Sequence, residues 1–269
     1  MNLHSGGETG QGKVRTKMIR GAGMDFQRGM WAEAWVQSLV ARQYVALAVF
    51  GVLAIELLNE GFGISESGGS FASMFLWSCL AFVVHAQILL PSDSIADAIV
   101  LRVFGFAMRS FGIFVLMLIA SALLTIIFTL VFGTEQSRVL FVYALVAFVI
   151  LGLPVFVWLG TILPAFVAGR ARGVRAAVKR GKTQFGWIAG RLIIGPGVLL
   201  VLSLALGLLL LIPVDYNGEF WNEQGVFQPL VVFALFICFT VQAFATALTA
   251  VILSRAFLRA EGMPDAAAA

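Results

Sequence analysis

Four cations recur at helical intervals in one stretch of the chain: Arg172, Arg175, Lys179 and Lys182, with Val174, Ala177, Val178 and Phe185 on the other side. Cations on one face and apolar groups on the other describe a basic amphipathic helix on a membrane surface, its cations meeting anionic lipid headgroups. Each such cation contributes about 1 kcal/mol near an anionic surface. That energy holds a helix flat without selecting one headgroup. The same pattern also serves as a topology determinant that keeps its loop cytoplasmic.

Other residues able to do chemistry are few. Glu56, His85 and Arg191 lie near the ends of apolar runs, within snorkelling reach of an interface. His85 has no second His, Asp or Glu at ligand spacing, which fits a satisfied helix-end histidine better than a metal ligand or a base. Cys79 and Cys238 fall inside apolar runs, away from the spacing of a zinc site or disulfide framework, and read as small buried residues. Gly21-Ala22-Gly23-Met24-Asp25 resembles a glycine-rich catalytic turn but lacks a partner aspartate, so it reads as linker. No nucleophile with a base, paired aspartates, acidic metal cluster or phosphate loop is visible. The sequence therefore nominates no catalytic residue, no metal ligand and no cofactor.

The elements that must position these residues follow from composition. Hydrophobic residues make up 60% of the chain and charged residues 12%, against roughly half and a quarter in soluble domains. The apolar residues fall in six runs: Val36–Leu58, Phe71–Leu90, Phe111–Phe132, Val139–Phe166, Ile188–Pro213 and Gln228–Ala256. Each is long enough to cross about 30 Å of hydrocarbon. The expected fold is an all-α polytopic membrane protein of six transmembrane helices, residues 28–258. An unstructured arm (1–27) precedes them and a short tail (259–269) follows. The arm has no apolar h-region, so no cleavable signal peptide is expected.

Orientation follows the cations. Six crossings put Lys13, Arg15, Lys17, Arg20, Arg28, Arg102, Arg109, the Arg170 to Lys182 cluster, Arg255 and Arg259 on one side, and Glu60, Glu66, Glu135, Asp215, Glu219 and Glu223 on the other, with Arg138 as the only base there. Basic residues stay cytoplasmic, so both termini are expected inside. A pI of 9.4 therefore implies lipid contact rather than nucleic acid. Trp31 and Trp35, one helical turn apart, fit either an interfacial helix before the first span or an earlier start of that span.

Several features speak to packing. Thr240, Ala243, Ala247, Ala250 and Ser254 form a small-residue stripe on the last span that permits close helix approach, with Gln242, Thr246 and Thr249 beside it. Val241, Phe244, Leu248 and Val251 are expected to face lipid. Gly152 with Pro154, and Gly195-Pro196-Gly197, should break the fourth and fifth spans. Breaks of this kind can mark transporter sites or serve packing alone. Leu89-Leu90-Pro91 and Ile162-Leu163-Pro164 precede Phe111-Gly112 and Phe185-Gly186 at nearly equal distances. The spacing fits either a duplicated hairpin or coincidence.

The stretch from Ile162-Leu163-Pro164-Ala165-Phe166-Val167-Ala168-Gly169 through Ala176-Ala177 to the Gly181–Trp187 return resembles part of the membrane domain attached to some bacterial glycerophosphoryl diester phosphodiesterases. That resemblance implies a six-helix protein of the bacterial inner membrane, and it carries over no catalytic residue. The leading functional expectation is a non-enzymatic membrane module associated with lipids, a membrane-protein partner or a second copy. The alternative is a small permease using the broken fourth and fifth spans.

Overall fold

A computed structural model describes residues 26–62, 66–91, 95–133, 137–170, 173–211, 220–221 and 226–262. Most of the expected arm and tail, and Arg172, lie outside these residues. The described residues are almost entirely helical, and six segments among them are long and apolar enough to cross a bilayer: Arg42–Gly61, Gly69–Leu89, Arg102–Phe132, Val142–Val167, Phe185–Gly207 and Pro229–Ala260. It is an all-α polytopic membrane protein.

The first span does not begin at Val36. A separate helix, α1 (Phe26–Val40), gives way at Ala41 to α2 (Arg42–Phe62). Helix α1 packs mainly against the last helix, α11 (Pro229–Ala260). Trp31 and Trp35 both lean on Phe244, with ring centroids 6.0 and 6.2 Å away. Its outward residues, Val36, Leu39 and Val40, are exposed and apolar, as suits a helix bathed in lipid rather than water.

Helix α3 (Glu66–Leu89) forms the second span, and α4 (Ile95–Phe132) the third. No break separates the basic segment around Arg102 from the third span at Phe111. At 38 residues and 1.5 Å per residue, α4 is roughly 57 Å long, well beyond the hydrocarbon thickness. Without proline, and with Gly112 on an open face, nothing interrupts its hydrogen-bond ladder.

The fourth and fifth spans are broken where Gly and Pro stand. Helix α5 (Ser137–Ala147) enters a π turn at Phe148–Gly152 before α6 (Leu153–Leu159) and the short α7 (Ile162–Val167). After α8 (Val174–Thr183), α9 (Phe185–Leu192) enters a second π turn at Ile193–Gly197 and continues as α10 (Val198–Leu211). Both turns accommodate the donor that proline lacks without ending the span. The matched Leu-Pro and Phe-Gly spacings do not share a local shape. Pro91 is exposed past the end of α3, whereas Pro164 is buried within α7, and Phe111 lies mid-helix while Phe185 starts one.

Burial is uneven along the bundle. The second span and the far half of α11 are its centre: Phe82, Val83, Val84, Leu248, Ile252 and Leu253 are nearly inaccessible. The same layer includes Phe106, Val157 and Ile188, from the ends of the third, fourth and fifth spans nearest the cations. At the opposite end, Leu130, Phe132, Val149 and Leu204 are exposed to lipid. On that side, among the described residues, the Glu60 carboxylate accepts hydrogen bonds from the backbone N–H groups of Phe220 and Trp221.

Backbone proximity fixes α8 on the fourth span. A Cβ at Gly181 would fall 2.6 Å from the Val157 carbonyl oxygen, while one at Gly186 would meet nothing within 4 Å. Gly181→Ala should therefore lower the unfolding midpoint in detergent, at a cost of about 1–3 kcal/mol. Gly186→Ala should leave it unchanged or slightly raised. Equal midpoints for the two variants would show that α8 does not rest on this span.

Candidate cationic membrane-facing site

Helix α8 begins after extended backbone at Gly173 and presents two different faces. Arg175, Lys179 and Lys182 are exposed, while Ala177 and Gly181 are buried against the fourth span. Val174, expected on the protected side, is 61% exposed, because it opens the helix at a rim where no other element covers it.

Arg180 departs from its cationic neighbours and turns inward. Its Nη1 donates to Glu261 Oε1 at 2.9 Å, its Nε lies 3.5 Å from Thr161 Oγ1, and its guanidinium stands 5.3 Å from the Phe257 ring centroid. It thereby ties α8 to the end of α11 and to the fourth span. The signal for this was periodicity: Arg180 shares the face of Ala177 and Gly181, so it is a cation on the protected side of the helix.

A second ion pair docks α1. Arg255 donates through both Nε and Nη2 to the Glu33 carboxylate, with distances of 2.7 to 3.2 Å. The fork geometry favours planar carboxylate recognition. Both side chains are largely withdrawn from the surface. The partners stand 222 residues apart, and nothing local in the sequence marks this pairing.

The small-residue stripe has a chemical end. Ala243, Ala247, Ala250 and Ser254 are all buried, whereas Thr240 is exposed. Ser254 Oγ lies 2.7 Å from His85 Nδ1, and both are nearly inaccessible. His85 therefore does not snorkel. It packs 5.6 Å from the Phe106 ring and is hydrogen-bonded to Ser254 across the second and last spans. Two polar residues at matching depth on two apolar spans were the available clue. Leu248 and Val251, expected to face lipid, are fully buried, because α11 is the central helix. Gly195 in the fifth span approaches Leu248 so closely that a Cβ would fall 2.9 Å from its Cδ2. Thr246 and Thr249 donate to Gln242 and Ala245 carbonyls of their own helix, so these hydroxyls need no partner across a helix interface.

Four further cations of this end hold aromatic or backbone groups. Arg102 Nη1 donates to Val167 O at 3.2 Å, and Arg109 stacks 4.0 Å over Phe166 while donating to Gly105 O. Arg191 and Arg259 approach Trp187 at 4.1 and 5.0 Å. Arg102, Gly105, Arg109, Gly112 and Leu116 follow one stripe of α4, and its basic half lies on α7. Among the described residues, no three His, Cys, Asp or Glu side chains converge as a metal site would require. Cys238 Sγ instead lies 3.5 Å from Ser203 O, linking the fifth and last spans.

The two π turns do not converge. The first packs against α4 and the second against α11, so they lack the shared interface that paired broken helices build around a substrate. Comparison with protein-family models, curated proteins and solved structures found no match to this chain.

Two buried pairs make measurable demands. Ser254→Ala leaves His85 Nδ1 without its partner and should cost about 1–3 kcal/mol. A wild-type unfolding midpoint would show the bond to be idle. For the docked helix, Glu33→Gln and Arg255→Gln singly should each destabilise more than half as much as the double variant. A coupling energy below about 0.5 kcal/mol would remove the ion pair from the docking of α1.

Proposed function

We propose that this protein is a non-enzymatic membrane module whose basic end engages anionic lipid on the inner leaflet of the bacterial inner membrane. The observation that supports it is the division of labour on α8. Arg175, Lys179 and Lys182 point outward while Arg180, Ala177 and Gly181 anchor the helix to the bundle. A surface helix fixed in this way presents its cations without first ordering itself, so more of their attraction to phosphate is retained on binding.

The gathering of Arg102, Arg109, Arg191, Arg255 and Arg259 at the same end supports cytoplasmic termini, because that end would be retained inside. The resemblance between Ile162 and Trp187 supports the bacterial inner membrane. A partner membrane protein or a second copy fits the same module, with lipid as the contact that every face shares. The permease alternative draws on the two π turns, since such turns recur at functional sites, but their separate packing gives it no common cavity.

The triple variant Arg175→Gln, Lys179→Gln, Lys182→Gln tests the reading. Purified from native membrane, it should retain about tenfold or more less anionic phospholipid than wild type, given about 1 kcal/mol per cation. Unchanged lipid content in a normally folded variant defeats the proposal. Uptake of a solute by the protein in liposomes, abolished by Pro154→Ala or Pro196→Ala, would favour the permease instead.

A further inference from the structure

Beside α8, the third span and the end of the fourth part to form an open groove of about 480 Å³. One wall is the α4 stripe of Arg109, Gly112 and Leu116, and the other is Leu159, Ile162 and Val174. Among the described lining residues Arg109 is the one ionisable side chain; it presents its apolar stem to the groove, and its guanidinium lies over Phe166 at the end nearest the other cations. The groove widens at Gly112, where an added Cβ would meet nothing within 4 Å.

A groove of this kind has few possible occupants in a bilayer. Its apolar walls are too open to exclude lipid tails, and no helix among the described residues fills it. A tail leaving the bilayer for the groove exchanges one apolar surrounding for another, so the tail alone confers no preference. Preference has to come from whatever lies at the cationic end. Arg109 offers five N–H donors in a planar fork, of which Gly105 O engages one. Stacking over Phe166 holds the guanidinium plane in place, and the fork matches the oxygens of a phosphate. Exposed Arg175 follows directly on the lining residue Val174, adding a second positive charge at the same rim.

We infer that this groove is a specific site for one anionic phospholipid, its acyl chain lying between the third and fourth spans and its phosphate on Arg109. The inference rests on the reading of the basic end as lipid-binding and narrows it from a charged surface to one seat.

Native mass spectrometry of the purified full chain, delipidated and titrated with phosphatidylglycerol or phosphatidylcholine, separates the two ideas. Wild type should hold one phosphatidylglycerol per chain through activation that strips all others, and should hold phosphatidylcholine less well. Gly112→Phe and, from the opposite wall, Val174→Phe should each displace that lipid at an unchanged unfolding midpoint. Arg109→Gln should weaken the preference for phosphatidylglycerol about fivefold, the effect of one cation. The Arg175, Lys179 and Lys182 triple variant should lose the easily stripped anionic lipids and keep most of the resistant one. If either filled variant folds and still holds the resistant lipid, the groove is not its seat. If phosphatidylcholine binds as tightly as phosphatidylglycerol in wild type, Arg109 does not select, and the site is overturned. Failure of the triple variant alone to lose lipid sinks the broader surface reading and leaves the groove standing.

Discussion

Hydrocarbon offers no hydrogen bonds, and nearly every polar feature of this protein answers that constraint. Hydroxyls along the spans donate to their own helix: Ser121 to Met117 O, Thr125 to Ser121 O, Thr129 to Thr125 O, Thr240 to Phe236 O. Several groups that are not satisfied within their own helix find a partner on another, while the buried Ser73 Oγ, Gln87 Oε1 and Gln228 Oε1 make no hydrogen bond among the described residues. His85 meets Ser254, Arg102 meets the Val167 carbonyl, and Glu33 meets Arg255. These three cross-helix bonds, unlike the Cys238–Ser203 contact and the Glu60 bonds in the other half, lie at one end of the bundle, where the close packing is. Polar pairing and apolar burial are there two aspects of one arrangement, since a buried polar pair needs tight surroundings to keep its geometry and to exclude competing partners.

The same constraint explains how α8 can be both a surface element and a structural one. Its exposed cations cost nothing in solvation at the headgroups, so they are free to vary in conformation. Arg180 sits on the protected face and is accommodated there by Glu261, Thr161 and the Phe257 ring. This inward cation acts with the close approach of Gly181 to make a surface amphipathic helix part of the bundle. Gly169, in the left-handed region at φ 68°, turns the chain out of α7 toward α8, and the Arg170 N–H bond to Ala165 O closes that helix end.

Six crossings were legible because each apolar run announces itself over its whole length, with no knowledge of its neighbours. The breaks near Pro154 and Pro196 were legible for an equally local reason, the donor each proline lacks. What escaped was pairing. His85 and Ser254 stand 169 residues apart, and Glu33 and Arg255 stand 222 apart, so no window of sequence holds both partners. The lipid-facing assignment of Leu248 and Val251 failed for a related reason. Their face is apolar on either account, and only the docking of the fifth span and α1 onto α11 turns it inward. The groove beside Gly112 was likewise beyond reach, being a space left between elements whose separation no single helix records.

Packing confined to one end has a consequence for how such a chain can change over generations. Around Ala247 and Gly195 an extra methyl pushes one helix off another, and drift there is costly. Along Leu200, Leu204 and Leu209 one lipid-wetted branch replaces another with almost no effect on neighbours. Related sequences should therefore diverge fastest in the sparse half and hold their residues in the dense half, so that kinship between distant members would be detectable from half of each helix only.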